Sequence, residues 1–566
     1  MVIRMLRPAS PPMAREGYRE AMVESWGQVL EYGGSRPSPD PQASPAGLAL
    51  LQVIKHHSGS RLTSIPLVSN AQGGDHLIAQ VKVTNLTKGP ICVTMFCEQL
   101  FLTFVHTGKG SLKVSLLIRH AAFLLRDACR INHDVDVLIE GKRIVAIGPH
   151  LLAPSGAEII EATGCAVIPG LINSHTHLYQ NFLKGVGAGF RLIPWCDTVL
   201  FPMVDVILRE QWDGNQRLAY LWSALGAIEM IRAGTTCCQD MDISVCMGGT
   251  FQAWADVGLR GVGAITLADS WIPADVMVES AWLKQAALEY VARWHDPAGR
   301  ITISLGPSSP FLCSDGLLEW ARETAQTHNL GLHIHVSETT EEVEESLQEY
   351  GMRPLERLER LGLLGEWLSA VHCVHLSEAE IELLACHGVT VVHCPKSNMK
   401  LADGVMSWPK LKAAGVEVAL GNDGCASSDL LDMWEEMRVA ALLGSLGAGD
   451  PSAITPADVF RAATEGGARA CGVDAGTLDP GRLADIVIVD LSGAHLCPIH
   501  DIIQTLVFCV RAADVRDVII DGQVVMRQRQ ILTVDEAALV EEADALGREL
   551  YARAQRSTVK RPSSDR

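Results

Sequence analysis

Two histidine pairs, each with one residue between its members, carry the clearest chemistry in this sequence. His175 and His177 lie in IPGLINSHTHL, and His333 and His335 lie in GLHIHVSE. On an extended strand, residues i and i+2 project from the same side, so each pair aims two imidazoles at one point. Neutral imidazole nitrogens are ligands for zinc and similar divalent ions. More candidates follow in order: Glu338, three residues after His335; His372 and His375 in VHCVHL; His393 in VVHCP; and Asp423 in LGNDG. A single strand-end histidine is more often packed core than ligand. A series of them, each closing a short apolar run, points to a metal centre.

Gathering side chains from successive strand ends requires parallel strands. Between residues 169 and 475, apolar runs such as GTTCCQDM, GLRGVGAI, ITISLGP and VEVALGND alternate with helix-like stretches such as EWARETAQTH and EEVEESLQEY. That alternation predicts an α/β fold, a (β/α)8 TIM-like barrel with its chemistry at the C-terminal strand ends. A doubly wound open sheet is the alternative, although no G-x-G-x-x-G follows the first strand. Gly170, just ahead of the first pair, permits a tight backbone path.

On either side, residues 113–168 and 476–535 read as short strands and turns, as in DVDVLIEGKRIVAIG and VRDVIIDGQVVM. Together they predict one small β-sandwich domain built from segments flanking the barrel. Residues 536–566 predict a helix and polar tail, its apolar positions suited to docking on the body or on a partner subunit. Residues 1–112 lack the pattern and include a Pro/Ser-rich linker at 35–45. The regular pattern starts at Val114, and Gly108-Lys109-Gly110 would be encoded by purine-rich codons like those of a ribosome-binding site. A native protein beginning near Val114 is one expectation, and an unfamiliar N-terminal extension the other.

Composition narrows the function. The chain has 566 residues, 48% of them hydrophobic, and a formal net charge of -19. Such a surface repels phosphate backbones and anionic lipids, so neither nucleic acid nor membrane is an expected partner. The 16 cysteines form no C-x-x-C pair, and no signal-peptide pattern is read at the N-terminus. Reduced thiols and a cytoplasmic location are expected.

The runs PGLINSHTHLYQNFLKG, HIHVSETTEEVEES, AVHCVHLSEAEIELLA, HCPKSNMKL and LGNDGCASS together resemble the amidohydrolase superfamily. The similarity, over about residues 114–535, is to its branch of cytosine-deaminase-like enzymes, triazine hydrolases and adenosyl-thioether deaminases. PIHDIIQTLVFCVRAADVRDVIIDGQVVM resembles the C-terminal piece of the melamine deaminase and atrazine chlorohydrolase group. Carried over by position, the resemblance implies one ion per chain, Zn2+ or another divalent ion such as Fe2+, held by His175, His177, His335 and Asp423. It implies Glu338 as proton shuttle and His372 as hydrogen-bond partner of the attacking water or departing oxygen, with Asp423 also accepting the water's proton. His333 and His375 match no ligand and are expected to support the site from behind. Trp195, Ser308 and His393 are expected beside the substrate. A homodimer or larger homo-oligomer is also implied.

Some positions depart from the adenosyl-thioether enzymes. Where these carry a ribose-binding glutamate two residues after the proline of W-x6-P, this chain has Val204; where they carry GPHSP, it has GPSSP with Ser308. Asn422 and the run Ser427 to Asp429 also differ from the usual pattern. A site built for hydroxyls tolerates lost partners poorly. The expected function is therefore a metal-dependent hydrolytic deaminase of a small-molecule heterocyclic amine of triazine, pyrimidine or purine type. An S-adenosylhomocysteine/methylthioadenosine deaminase, or a chlorohydrolase of a chlorinated triazine, is the alternative. A non-catalytic scaffold is a distant third, since every implied ligand is present.

Overall fold

The strand–helix alternation resolves into eight parallel strands in a computed structural model that describes residues 115–212 and 216–559. The expected extension over residues 1–112 lies outside the described residues. The strands are β1 (Leu171–Thr176), β2 (Thr235–Asp240), β3 (Arg260–Leu267), β4 (Ile301–Pro307), β5 (Gly331–Val336), β6 (Leu368–His372), β7 (Thr390–His393) and β8 (Glu417–Leu420). They lie side by side in chain order, as successive right-handed β–α–β crossovers require. The ends of the series meet where the Asp423 N–H donates to the His175 carbonyl at 3.0 Å, giving the (β/α)8 barrel.

Helices cover the outside of the barrel and side chains fill the inside, so strands such as β1, β2 and β7 are buried on both faces. Leu332, Ile334, Ala370 and Val391 belong to the large core shared with the outer helices. Val371, Val392 and Ala419 form a separate interior cluster, and Ile172, Cys237 and Val262 another, packed on Ala468 and Cys471 of the short helix Gly467–Cys471. Strand alternation thus puts His333 and His335 on the interior side of β5, opposite Ile334.

Both flanks of the chain join in two smaller sheets. One holds Arg143–Gly148, Val135–Glu140, Ser115–Ala121 and Glu158–Glu161. In the other, Cys165–Pro169 pairs antiparallel with Ile486–Asp490, uniting segments from before and after the barrel. Leu116, Ile118, Val137 and Ile139 of the first sheet pack with Ile486, Ile488 and Ile519 of the second. Helix Glu536–Ala554 docks on the barrel's own helix Gln216–Arg232, burying Leu539 and Ala543 and pairing Arg232 Nε with Glu536 at 2.7 Å. The described cysteines are free thiols. No helix among the described residues is long and apolar enough to cross a membrane.

Candidate metal centre and active site

Three strands deliver four donor atoms to one point. His335 Nε2 lies 3.1 Å from His175 Nε2 and 3.3 Å from His177 Nε2, while Asp423 Oδ1 lies 3.2 and 3.3 Å from the same two nitrogens. Zn–N bonds of about 2.0–2.1 Å in a tetrahedron place neighbouring donors about 3.3–3.4 Å apart. The spacing and the donor set, three imidazoles and a carboxylate, fit zinc or a similar divalent ion.

The strand ends that build this point leave ordinary strand geometry. Ser337, His372, Cys373 and Asp423 all have positive φ, between 50 and 69°. Non-glycine residues rarely adopt that conformation, and it re-aims each side chain away from strict alternation. Close passage of β8 over β1 requires Gly421, where an added Cβ would sit 2.8 Å from His175 Cβ. At Gly170 an added Cβ would meet Thr236 Oγ1 at 2.0 Å, so the glycine there gives room to a neighbouring strand.

Hydrogen bonds behind the donors fix their orientation. His177 Nδ1–H donates to Met241 O at 2.7 Å and His335 Nδ1–H to Ser308 O at 2.5 Å. Carbonyl oxygens only accept, so each ring turns an unprotonated Nε2 to the centre. Asp423 Oδ2 accepts from Ser397 Oγ at 2.6 Å and Ser427 Oγ at 3.0 Å, which leaves Oδ1 for the ion. Burial opposes ionisation of Asp423, but its hydrogen bond with His175 and the neighbouring histidines outweigh this and hold it well below the usual carboxylate range. Burial pushes the His175 imidazole well down and His335 down to about 3.

Glu338 and His372 stand on the cavity side. The Glu342 carboxylate accepts the N–H groups of Ser337 (3.0 Å) and Glu338 (2.8 Å) and so locks the turn. Burial, reinforced by nearby Asp403, pushes the Glu338 carboxyl well above the usual range. The shift favours the protonated form, which can donate. Burial lowers His372 to about 4. Asn398 Nδ2 donates to His372 Nδ1 at 3.0 Å, which puts the ring proton on Nε2, 3.6 Å from Glu338 Oε1.

Trp195 and Ser308 line the cavity, as does Val204. His393 does not. On β7 the interior side belongs to Val392, so alternation turns His393 outward, where its ring meets Trp408 edge to face at 5.8 Å. The structure thus does not bring His393 to the cavity with Trp195 and Ser308. His375 supports the site from a distance, its Nε2 bonding Asp403 O at 2.7 Å. Sequence reasoning did not single out Ser397, Asn398, Asp403 or Glu342. The first two sit in the HCPKSNMKL run and Glu342 in HIHVSETTEEVEES, which were usable signals; Asp403 had none, because Glu338, the group it acts on, comes from another segment. Leu200, Phe201, Val204, Ile272, Val276 and Phe311 make the outer wall apolar, and the cavity's carboxylates among the described residues are Glu338 and Asp423.

The chain is similar to known proteins across this architecture. It is 39% identical over 421 residues, 73% of this chain and 94% of the relative, to the 5-methylthioadenosine/S-adenosylhomocysteine deaminase of Desulforudis audaxviator (strain MP104C). A zinc-bound adenosine deaminase of Xanthomonas campestris superposes with a TM-score of 0.73 at 33% identity, covering 78% of this chain and 99% of that one. A zinc-complexed atrazine chlorohydrolase of Arthrobacter aurescens TC1 reaches a TM-score of 0.71 at 26% identity, covering 76% and 100%. Residues 166–525, which include all four converging donors, match the Amidohydrolase family, and the chain belongs to it.

Proposed function

We propose that the chain is a metal-dependent hydrolytic deaminase of a purine-type heteroaromatic amine, with His175, His177, His335 and Asp423 holding one ion. The observation that carries this is a buried carboxyl, Glu338, with its pKa raised by burial, beside a three-histidine, one-aspartate cluster at the head of an apolar cavity. When bound, a divalent ion polarises water and lowers its pKa towards roughly 7.

The residues around it supply the proton traffic. Asp423 accepts the proton of the attacking water. Glu338 gives its proton to a ring nitrogen, which makes the adjacent carbon electrophilic. His372 Nε2–H holds the oxygen as it adds. As the C–N bond breaks, the Glu338 carboxylate takes the proton of the added hydroxyl, leaving a carbonyl, and passes it to the departing amine, releasing ammonia; the proton held by Asp423 then restores Glu338. Apolar walls keep bulk water from the reacting carbon.

Two relatives named for adenosine-type deamination, at 39 and 33% identity, favour a purine over the triazine named for the 26% neighbour. The outer wall suits an apolar arm on the heterocycle, such as a thioether or alkyl group. Zinc as the ion, a cytoplasmic location and a homodimer or larger assembly complete the reading, zinc being the ion of both structural neighbours. The same reading takes residues 169–475 as the hydrolase barrel and 113–168 with 476–535 as one sandwich domain.

The test is ammonia release from a panel of 5′-methylthioadenosine, S-adenosylhomocysteine, adenosine, 9-alkyladenines, guanine and melamine-type triazines. Ammonia from a purine, lost with chelator and with Glu338→Gln, is the expected result. Release from triazines alone, or chloride release without ammonia, would overturn it.

A further inference from the structure

Among the three imidazole donors, His175 differs in what stands behind it. His177 and His335 face carbonyls, whereas His175 Nδ1 faces Nε2 of another histidine, His333, at 2.8 Å. A neutral imidazole donates at one nitrogen and accepts at the other, so two proton arrangements satisfy that contact. With the proton on His175 Nδ1, Nε2 is free to bind an ion. With the proton on His333 Nε2, His175 must carry its own proton on Nε2, where it points at Asp423 Oδ1 and blocks the ion.

The deciding contact lies one step deeper. His333 Nδ1 is 2.6 Å from Ser369 Oγ, and the Ser369 hydroxyl donates to Leu332 O at 3.2 Å. Once that hydrogen is committed to a carbonyl, Ser369 Oγ can only accept, and it accepts from His333 Nδ1–H. His333 Nε2 is then bare and accepts from His175 Nδ1–H. The register of β5 on β6 sets this up, pairing His333 with Ser369 and Leu332 with Leu368. Both side chains are sealed inside the barrel, with His333 at 0% and Ser369 at 1% exposure, so no bulk water competes for these bonds.

We infer that Ser369 and His333 are positioning residues that select the ion-binding tautomer of His175 and thereby raise the affinity of the centre. The inference rests on the metal-centre reading above.

The test strips the full-length protein of metal and titrates Zn2+ against a chromophoric chelator. Variants are His333→Phe, His333→Gln and Ser369→Ala, and the thermal midpoint of each metal-free form is recorded alongside. Phenylalanine fills the space without accepting from His175, and zinc affinity should fall about 10–100-fold, the usual effect of losing a partner behind a ligand. Glutamine can accept from His175 with its carbonyl and donate to Ser369 with its amide, and should stay within about threefold of wild type. Ser369→Ala should weaken zinc several-fold with little change in thermal midpoint. Wild-type affinity in His333→Phe, or a loss in His333→Gln as large as in His333→Phe, would overturn the inference. If His333→Phe does not fold, unchanged zinc affinity in Ser369→Ala overturns it instead. Wild type taking up no zinc would defeat the metal-centre reading itself, a result separate from any of these.

Discussion

Arg260→Met removes the cation from a buried junction between the barrel and the flanking sheet. The guanidinium binds Asp485 with two nitrogens, Nε to Oδ2 at 2.6 Å and Nη2 to Oδ1 at 3.1 Å, and Nη2 also reaches Asp521 Oδ1 at 3.0 Å. The side chains are 3%, 1% and 7% exposed. After the substitution, Asp485 keeps the Asp521 backbone N–H at 2.7 Å, and Asp521 keeps half-exposed Lys142 at 2.9 Å. Lys142 on Asp521 and nearby Arg300 would then be the remaining cations for two buried carboxylates. Breaking a buried pair by removing one partner costs about 3–5 kcal/mol. At roughly 2.1 cal/mol/K per residue over the roughly 440 described residues, Tm should fall by about 3–5 °C if unfolding is two-state. Scanning calorimetry of the full chain measures this, and Arg260→Met/Asp485→Asn should recover part of the loss. Zinc content and turnover at room temperature should not change, because Arg260 opens β3 while the site lies at the strand's other end. A loss below about 1 kcal/mol, as for an exposed pair, or a double variant no better than the single one, would refute the reasoning.

Glu338→Gln should keep its ion while turnover falls about 10²–10⁴-fold; a fall under about tenfold would remove Glu338 from the chemistry. Because the Glu338 carboxyl is raised and acts in its protonated form, wild-type turnover should hold at lower pH and decline as pH rises through that raised pKa. A turnover profile that rises through alkaline pH would contradict this. Gly421→Ala places a Cβ 2.8 Å from His175 Cβ and 2.9 Å from its backbone nitrogen, so β1 or β8 must shift. Zinc affinity should drop at least about tenfold, with about 1–3 kcal/mol of overpacking, and unchanged affinity would show that the close passage does not hold His175. Asp423→Asn removes the anionic donor, and elemental analysis should find well under one ion per chain.

Much of the site was legible because its signals are local. His175 with His177, and His335 with Glu338, are separated by one and two residues, so strand and turn geometry alone bring each pair together. The barrel was legible because apolar runs and helices alternate at a period that parallel strands demand. His393 shows where that logic fails: closing an apolar run says a residue is at a strand end, but not which side it faces. Val392 takes the interior, and only the packed barrel reveals it.

The amino-acid sequence by itself pointed to the parallel barrel and the flanking strands through periodicity, and to the family and the proposed donor set through motifs that resemble the amidohydrolases. Only the tertiary structure decided what stands behind each donor. Ser397 and Ser427 hold Asp423, Asn398 sets His372, and Asp403 raises Glu338 across gaps of 4 to 65 residues. His333 and Ser369 meet because β5 pairs with β6 in one register. Such contacts have no sequence period: they exist only once the barrel closes and excludes the water that would otherwise satisfy the same groups.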